Sequence, residues 1–100
     1  MRHILNTTFI IEEEAEREWV DFMRQDYIRT IETLHVTEDR LFTKVSIDQP
    51  EGKTYSLQLI FSSEEAREHF EQHHWQKITD RLNARFKNRY LCFSSILTEI

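Results

Sequence analysis

The apolar residues of this chain change their spacing along its length, and that succession of periods limits the fold more than any single motif. From His3 to Ile11, the residues Leu5, Phe9 and Ile11 share one parity with Thr7, which predicts a strand, because side chains alternate across a strand. From Glu13 the steps become three and four. Ala15, Trp19, Phe22, Met23, Tyr27 (or Ile28), Ile31 and Leu34 mark an amphipathic helix of about five turns. Its opening acidic run, Glu12, Glu13, Glu14, Glu16 and Glu18, suits the positive end of the helix dipole. After the polar connection 35–39, alternation returns twice, through Leu41, Thr43, Val45 and Ile47 and through Tyr55, Leu57, Leu59 and Phe61. Between these runs lie the only Pro and the only Gly, in Asp48-Gln49-Pro50-Glu51-Gly52-Lys53, so the pair predicts a hairpin.

Ser62 with Glu65 fits a capping box and starts a second helix, whose apolar stripe Ala66, Phe70, His74, Ile78, Leu82 and Phe86 is spaced by four. That helix is expected to end near Lys87-Asn88, and Tyr90 to Thr98 reads as a fourth strand. The order strand–helix–strand–strand–helix–strand predicts an α+β, ferredoxin-like βαββαβ two-layer sandwich. Its four-stranded antiparallel sheet would carry both helices on one face. One hundred residues without a linker or repeat are expected to form one domain, 1–100.

Composition removes several function classes. One Gly cannot write GxGxxG or a P-loop, and one Cys, Cys92, allows neither an intrachain disulfide nor a multi-Cys zinc site. No apolar run of ~18 residues is present, and no signal peptide follows Met1, so a soluble cytoplasmic protein without membrane partners is expected. Net charge is −5, with six basic and eleven acidic residues in 1–50 and seven of each in 51–100. That balance disfavours nucleic acid, and the basic set Lys77, Arg81, Arg85, Lys87 and Arg89 suits a helix C-terminus.

Parity divides each strand into two faces. In positions 5–11, 41–47, 55–61 and 91–97, the odd residues are apolar at thirteen of sixteen places and carry no charge, so the odd face is expected under the helices. The even face would hold Ile4, Asn6, Thr8, Ile10, Phe42, Lys44, Ser46, Asp48, Thr54, Ser56, Gln58, Ile60, Tyr90, Cys92, Ser94 and Ile96. Two charges among sixteen are few for a surface open to water in a chain with 31% charged residues. This face is therefore expected to meet a second copy or enclose a small molecule. Asn6, Thr8, Phe42, Gln58, Ile60, Tyr90, Cys92 and Ser94 are the candidate dimer or ligand residues.

Four segments carry a resemblance: Asn6-Thr7-Thr8-Phe9-Ile10-Ile11-Glu12, Glu18-Trp19-Val20-Asp21-Phe22-Met23-Arg24, Tyr55-Ser56-Leu57-Gln58-Leu59 and Arg85-Phe86-Lys87-Asn88-Arg89-Tyr90-Leu91-Cys92-Phe93. Together they resemble the domain of unknown function 4286 family of small bacterial proteins. The resemblance implies a ferredoxin-like fold related to the dimeric α/β barrels, in which two sheets pack face to face, and implies no activity. Members often have His-Ile-Pro where this chain has Tyr27-Ile28-Arg29, and an Arg where Ser94 stands. A reaction resting on those positions would be lost or altered here.

No constellation specifies a catalyst. His69 and His73 lie one turn apart, but Glu71 sits about 200° around the helix from His69, unlike HExxH, and no metal is expected. Asn6, Trp75 and His73 invite comparison with haem-degrading barrels, yet Trp75 follows the histidines instead of preceding them, and no cofactor is expected. Cys92 could serve as a thiolate but lacks a basic partner in sequence, and Tyr90, Lys44 and Asp48 form no recognisable acid–base pair. An RNA-recognition motif fails because Tyr55 has helix-side parity, and Glu12-Glu13-Glu14 would repel a phosphate. The leading reading is a homodimer joined through the even sheet face, with a small-ligand cavity there. The alternative is a cofactor-independent enzyme of the dimeric α/β-barrel type acting on a small organic molecule.

Overall fold

A computed structural model describes every residue except Asp48, Gln49 and Glu51, so the centre of the expected hairpin turn and the expected even-face Asp48 lie outside the described residues. The strands are β1 (His3–Ile11), β2 (Asp39–Lys44), β3 (Lys53–Phe61) and β4 (Tyr90–Thr98), all antiparallel in the order β2-β3-β1-β4. The first helix fills 13–34 and the second 64–86, and both pack on one side of the sheet, as the alternation of periods implies. This is the ferredoxin-like sandwich.

Burial follows the two periodicities. Leu5, Phe9 and Ile11 of β1 and Leu57, Leu59 and Phe61 of β3 meet Trp19, Met23 and Ile31 of the first helix and Phe70, Ile78, Leu82 and Phe86 of the second. Each such side chain contributes about 1.5–3 kcal/mol by leaving water. Gly52 closes the hairpin at φ 142°, and a Cβ there would stand 2.4 Å from the Ile11 carbonyl oxygen. Only glycine lets β3 approach β1 at that point.

Neither helix is a uniform α-helix. The first runs through a 3₁₀ turn (Glu13–Ala15), an α segment (Glu16–Phe22), a π-helical turn (Met23–Tyr27) and an α segment (Ile28–Leu34). The second has α segments Glu64–Phe70 and Gln76–Phe86 on either side of a π-helical turn, Glu71–Trp75. The wider turn explains why Tyr27 and Ile28 compete for one place in the stripe: both are 3% exposed, because the extra residue lets consecutive side chains face inward. The cap of the second helix is also one residue later than expected. Ser63, not Ser62, has extended backbone, and its Oγ accepts a 3.1 Å hydrogen bond from the Ala66 amide.

The register corrects the faces of the edge strands. Paired residues share a face, and Phe42 lies opposite Leu57, Lys44 opposite Tyr55, Cys92 opposite Phe9 and Ser94 opposite Thr7. The even residues of β2 and β4 therefore lie on the helix side, so Phe42, Lys44, Tyr90, Cys92, Ser94 and Ile96 leave the expected open face. Leu41, Thr43, Leu91, Phe93, Ser95 and Leu97 take their places. The two helices cover the central strands, while the helix-side surface of each edge strand forms a polar lip. On β2, Arg40 reaches Glu32 (3.1 Å) and Lys44 reaches Glu16 (2.7 Å). On β4, Tyr90 donates to Asn83.

Candidate functional site

The expected site residues divide between two surfaces. Asn6, Thr8, Gln58 and Ile60 stand on the helix-free face, whereas Cys92 and Ser94 line a cavity on the helix side and Tyr90 lines a separate one. Phe42 is at neither. It stacks on Tyr55 at 5.6 Å and 24° and packs against Trp19 at the far edge of the core.

The helix-free face has a polar middle and apolar margins. Asn6 faces Gln58 and Thr8 faces Ser56 across the central strands, and the Ser56 hydroxyl donates to Asn6 Oδ1 at 2.9 Å. Outside them, Leu41 is 53% exposed on β2, and Leu91, Phe93 and Leu97 are 70%, 59% and 40% exposed on β4. Ile60, expected on this face and found there, is buried within the single chain. Among the described strand residues of this face the only charged side chain is Asp39, at the β2 edge. The corrected membership is thus more apolar than parity alone indicates.

The second surface is a cavity of about 300 Å³ between β4 and the two π-helical turns. Tyr27 ends one π turn, and Glu71 and Trp75 bound the other, so the two irregular turns supply its helical wall. The indole N–H of Trp75 donates to the Tyr27 hydroxyl at 3.4 Å, and the Thr79 side chain lies near the same phenol. On the sheet wall, the hydroxyls of Thr7 and Ser94 are 2.9 Å apart. Phe9 and Leu82 supply the apolar lining. Arg67, only 5% exposed, is ion-paired with Glu71 and so holds that carboxylate in place.

Burial decides the protonation of this region. It pushes the Tyr27 phenol up and raises Tyr90 to about 12, the latter with the nearby Cys92 and Tyr27 adding in the same direction. The Cys92 thiol, at the cavity's exposed rim, is also pushed up by partial burial, which disfavours the thiolate a nucleophile needs. Asn6, Trp75 and His73 do not converge. Asn6 is on the helix-free face and Trp75 is beneath the helices, while His73 is exposed and packs on His69 with ring centroids 4.3 Å apart. Among the described residues no group of three or more His, Cys, Asp and Glu is placed to hold a metal ion, and no helix is long and apolar enough to cross a membrane.

The model of the domain of unknown function DUF4286 matches residues 2–100. The chain belongs to the DUF4286 family. No curated protein matches it. Among solved structures, the DUF4286 chain is similar to an EthD family protein from Bacillus halodurans, with a TM-score of 0.71 and 11% identity over 98% of this chain and 99% of that one. It is also similar to SnoaB, a cofactor-independent oxygenase from Streptomyces nogalater (TM-score 0.62, 13% identity, 98% and 92% covered). A dimeric ferredoxin-like protein from an uncultured marine organism matches with a TM-score of 0.64 at 8% identity, over 99% and 97% of the two chains. At such identities these likenesses establish a shared fold and leave function to the site.

Three features escape sequence reading. The π-helical turns had a signal in the second helix: a stripe spaced by four from Phe70 to Phe86 drifts about 40° per step on a regular helix and needs an inserted residue to stay on one face. Tyr27 and Thr7 had none, since each reads as an ordinary core position.

Proposed function

We propose that this DUF4286 protein is a homodimer joined through the helix-free face of its sheet. What carries the reading is the exposure of Leu41, Leu91, Phe93 and Leu97 on a face whose only described charge is Asp39. A solvent face in so charged a chain would carry Lys and Glu, and apolar side chains exposed along both margins of an almost uncharged face mark an association site. Its extent is suitable. Four strands about 4.8 Å apart and up to nine residues long give a footprint of about 19 by 30 Å. That is close to what a standard interface of about 800 Å² of accessible surface per partner requires. A second copy is the natural occupant, because a two-fold axis through the polar centre and across the strands would set each apolar margin against its equivalent and bring Asn6, Ser56 and Gln58 near the axis, where they can hydrogen-bond across it. The dimeric ferredoxin-like relative shares the fold and adds weight to this reading.

Native mass spectrometry and sedimentation velocity test it. Wild type is expected as a dimer at micromolar concentration. Phe93→Lys should raise the dissociation constant at least thirtyfold, equivalent to ~2 kcal/mol, because the largest exposed apolar side chain of the face is replaced by a charge. A wild-type monomer at 100 µM, or a Phe93→Lys dimer of undiminished affinity, would reject this interface.

A further inference from the structure

The second helix carries a group of imidazoles on the side of the molecule away from the helix-free sheet face. His69 stands in the α segment Glu64–Phe70, and His73 and His74 stand in the π-helical turn Glu71–Trp75. On a regular α-helix a residue four positions on is about 40° away, and one five positions on about 140° away. The π turn closes its hydrogen bonds over five residues and so carries His74 back towards His69 as well. Ring centroids are 4.3 Å apart for His69 and His73, and 5.8 Å apart for His69 and His74. Their surroundings differ. His69 and His73 are exposed, and among the described residues neither makes a hydrogen bond or an ion pair, so their ring nitrogens are open to a ligand. His74 is half-buried, packs on Phe70 at 6.3 Å and lines the groove between the helices with Leu34 and Ile78.

We propose that His69 and His73 chelate one divalent late first-row transition ion of the zinc class, with water completing its coordination. Two histidines one turn apart on one helix face are the spacing at which a helix presents a ligand pair to zinc. A tetrahedral ion bonded at about 2.0–2.1 Å holds two nitrogens roughly 3.3 Å apart. Rings whose centroids are 4.3 Å apart reach that separation by side-chain rotation, which two exposed residues are free to make. Ligand type selects the ion: imidazole suits zinc, copper and nickel, whereas magnesium and calcium take oxygen. Local charge does not make that choice, because Glu65 one turn before His69 and Lys77 one turn after His73 oppose each other. Two side chains are fewer than the three or four of a catalytic or structural zinc centre, in keeping with the lack of any such group among the described residues. The site is therefore open and exchangeable.

The test is a titration of the full chain with Zn²⁺, followed through the carbon-bound imidazole proton NMR signals, with Mg²⁺ as the control. Zn²⁺ should shift the His69 and His73 signals saturably, at one ion per chain and below millimolar concentration, and Mg²⁺ should shift neither. His69→Ala and His73→Ala should each weaken binding at least tenfold, whereas His74→Ala should change it less than twofold. Alanine favours an exposed helical position, so the first two variants lose a ligand and keep the fold. Absence of a saturable shift, equal shifts at His3 or His35, full affinity in either single variant, or an equal loss in His74→Ala would each overturn the proposal. Both histidines lie on a helix, away from the sheet face proposed to join two copies, so the outcome is separate from that of the dimer.

Discussion

Tyr90 shows how one side chain links packing to pH. Its phenol packs near Phe9 and donates to Asn83, and burial, with Cys92 and Tyr27 in the vicinity, holds its pKa up to about 12. An unfolded tyrosine loses its proton near pH 10. Above that pH the unfolded chain binds fewer protons than the folded one, so stability is complete below pH 10 and falls as pH rises towards about 12. Tyr55 and Tyr27, both shifted up by burial, act in the same direction. Urea denaturation measured from pH 8 to 12 should show this decline, and Tyr90→Phe should make it shallower. An unchanged slope in that variant would place the alkaline weakness elsewhere. Glu16 works at the other end of the scale: its hydrogen bonds from Lys44 and Tyr55 hold its carboxyl below the usual range, so its contribution is present above pH ~4.5 and disappears as acid protonates it.

At the level of elements, sequence pattern recovered which segments are strands and helices but not which way the outer strands turn. Alternation reports that Leu91, Phe93 and Leu97 share a side; it does not report which side. The inference that the more apolar parity faces inward holds for β1 and β3, where helices lie directly overhead, and fails for β2 and β4, whose helix-side residues Arg40, Lys44 and Tyr90 form polar contacts at the rim. For the site, Asn6, Thr8 and Gln58 were legible as face residues because they sit on central strands. Cys92 and Ser94 were expected on the helix-free face, and the register puts them on the other side of the sheet. The helix start offers a discriminating test of the cap. Ser63→Ala removes the bond to the Ala66 amide and should cost ~1 kcal/mol in thermal or urea unfolding, while Ser62→Ala should cost close to nothing. The reverse order would restore Ser62 as the cap.

On the scale of the whole molecule, charge and the proposed interface pull against each other. Each copy carries −5, so two copies repel at long range, while the face proposed to join them is almost free of charge. Added salt screens the repulsion and leaves apolar contact intact, since the screening length shrinks to ~10 Å at 0.1 M. Raising NaCl from 20 to 500 mM should therefore tighten the dimer severalfold in sedimentation experiments. Weakening by salt would indicate ion pairs at the contact and a different surface.

The last strand carries a liability of its own. Tyr90–Thr98 runs along the rim of the sheet for nine residues without a charged side chain or a proline, whereas the opposite rim is shorter and bears Asp39, Arg40 and Lys44. Unguarded rims of that length are templates for runaway cross-β stacking. Association through the sheet face would then serve the chain as a partial safeguard: a lone copy has its leucines and Phe93 bare beside open amides, and covering those side chains removes the apolar half of the template, a benefit independent of any chemistry the protein performs.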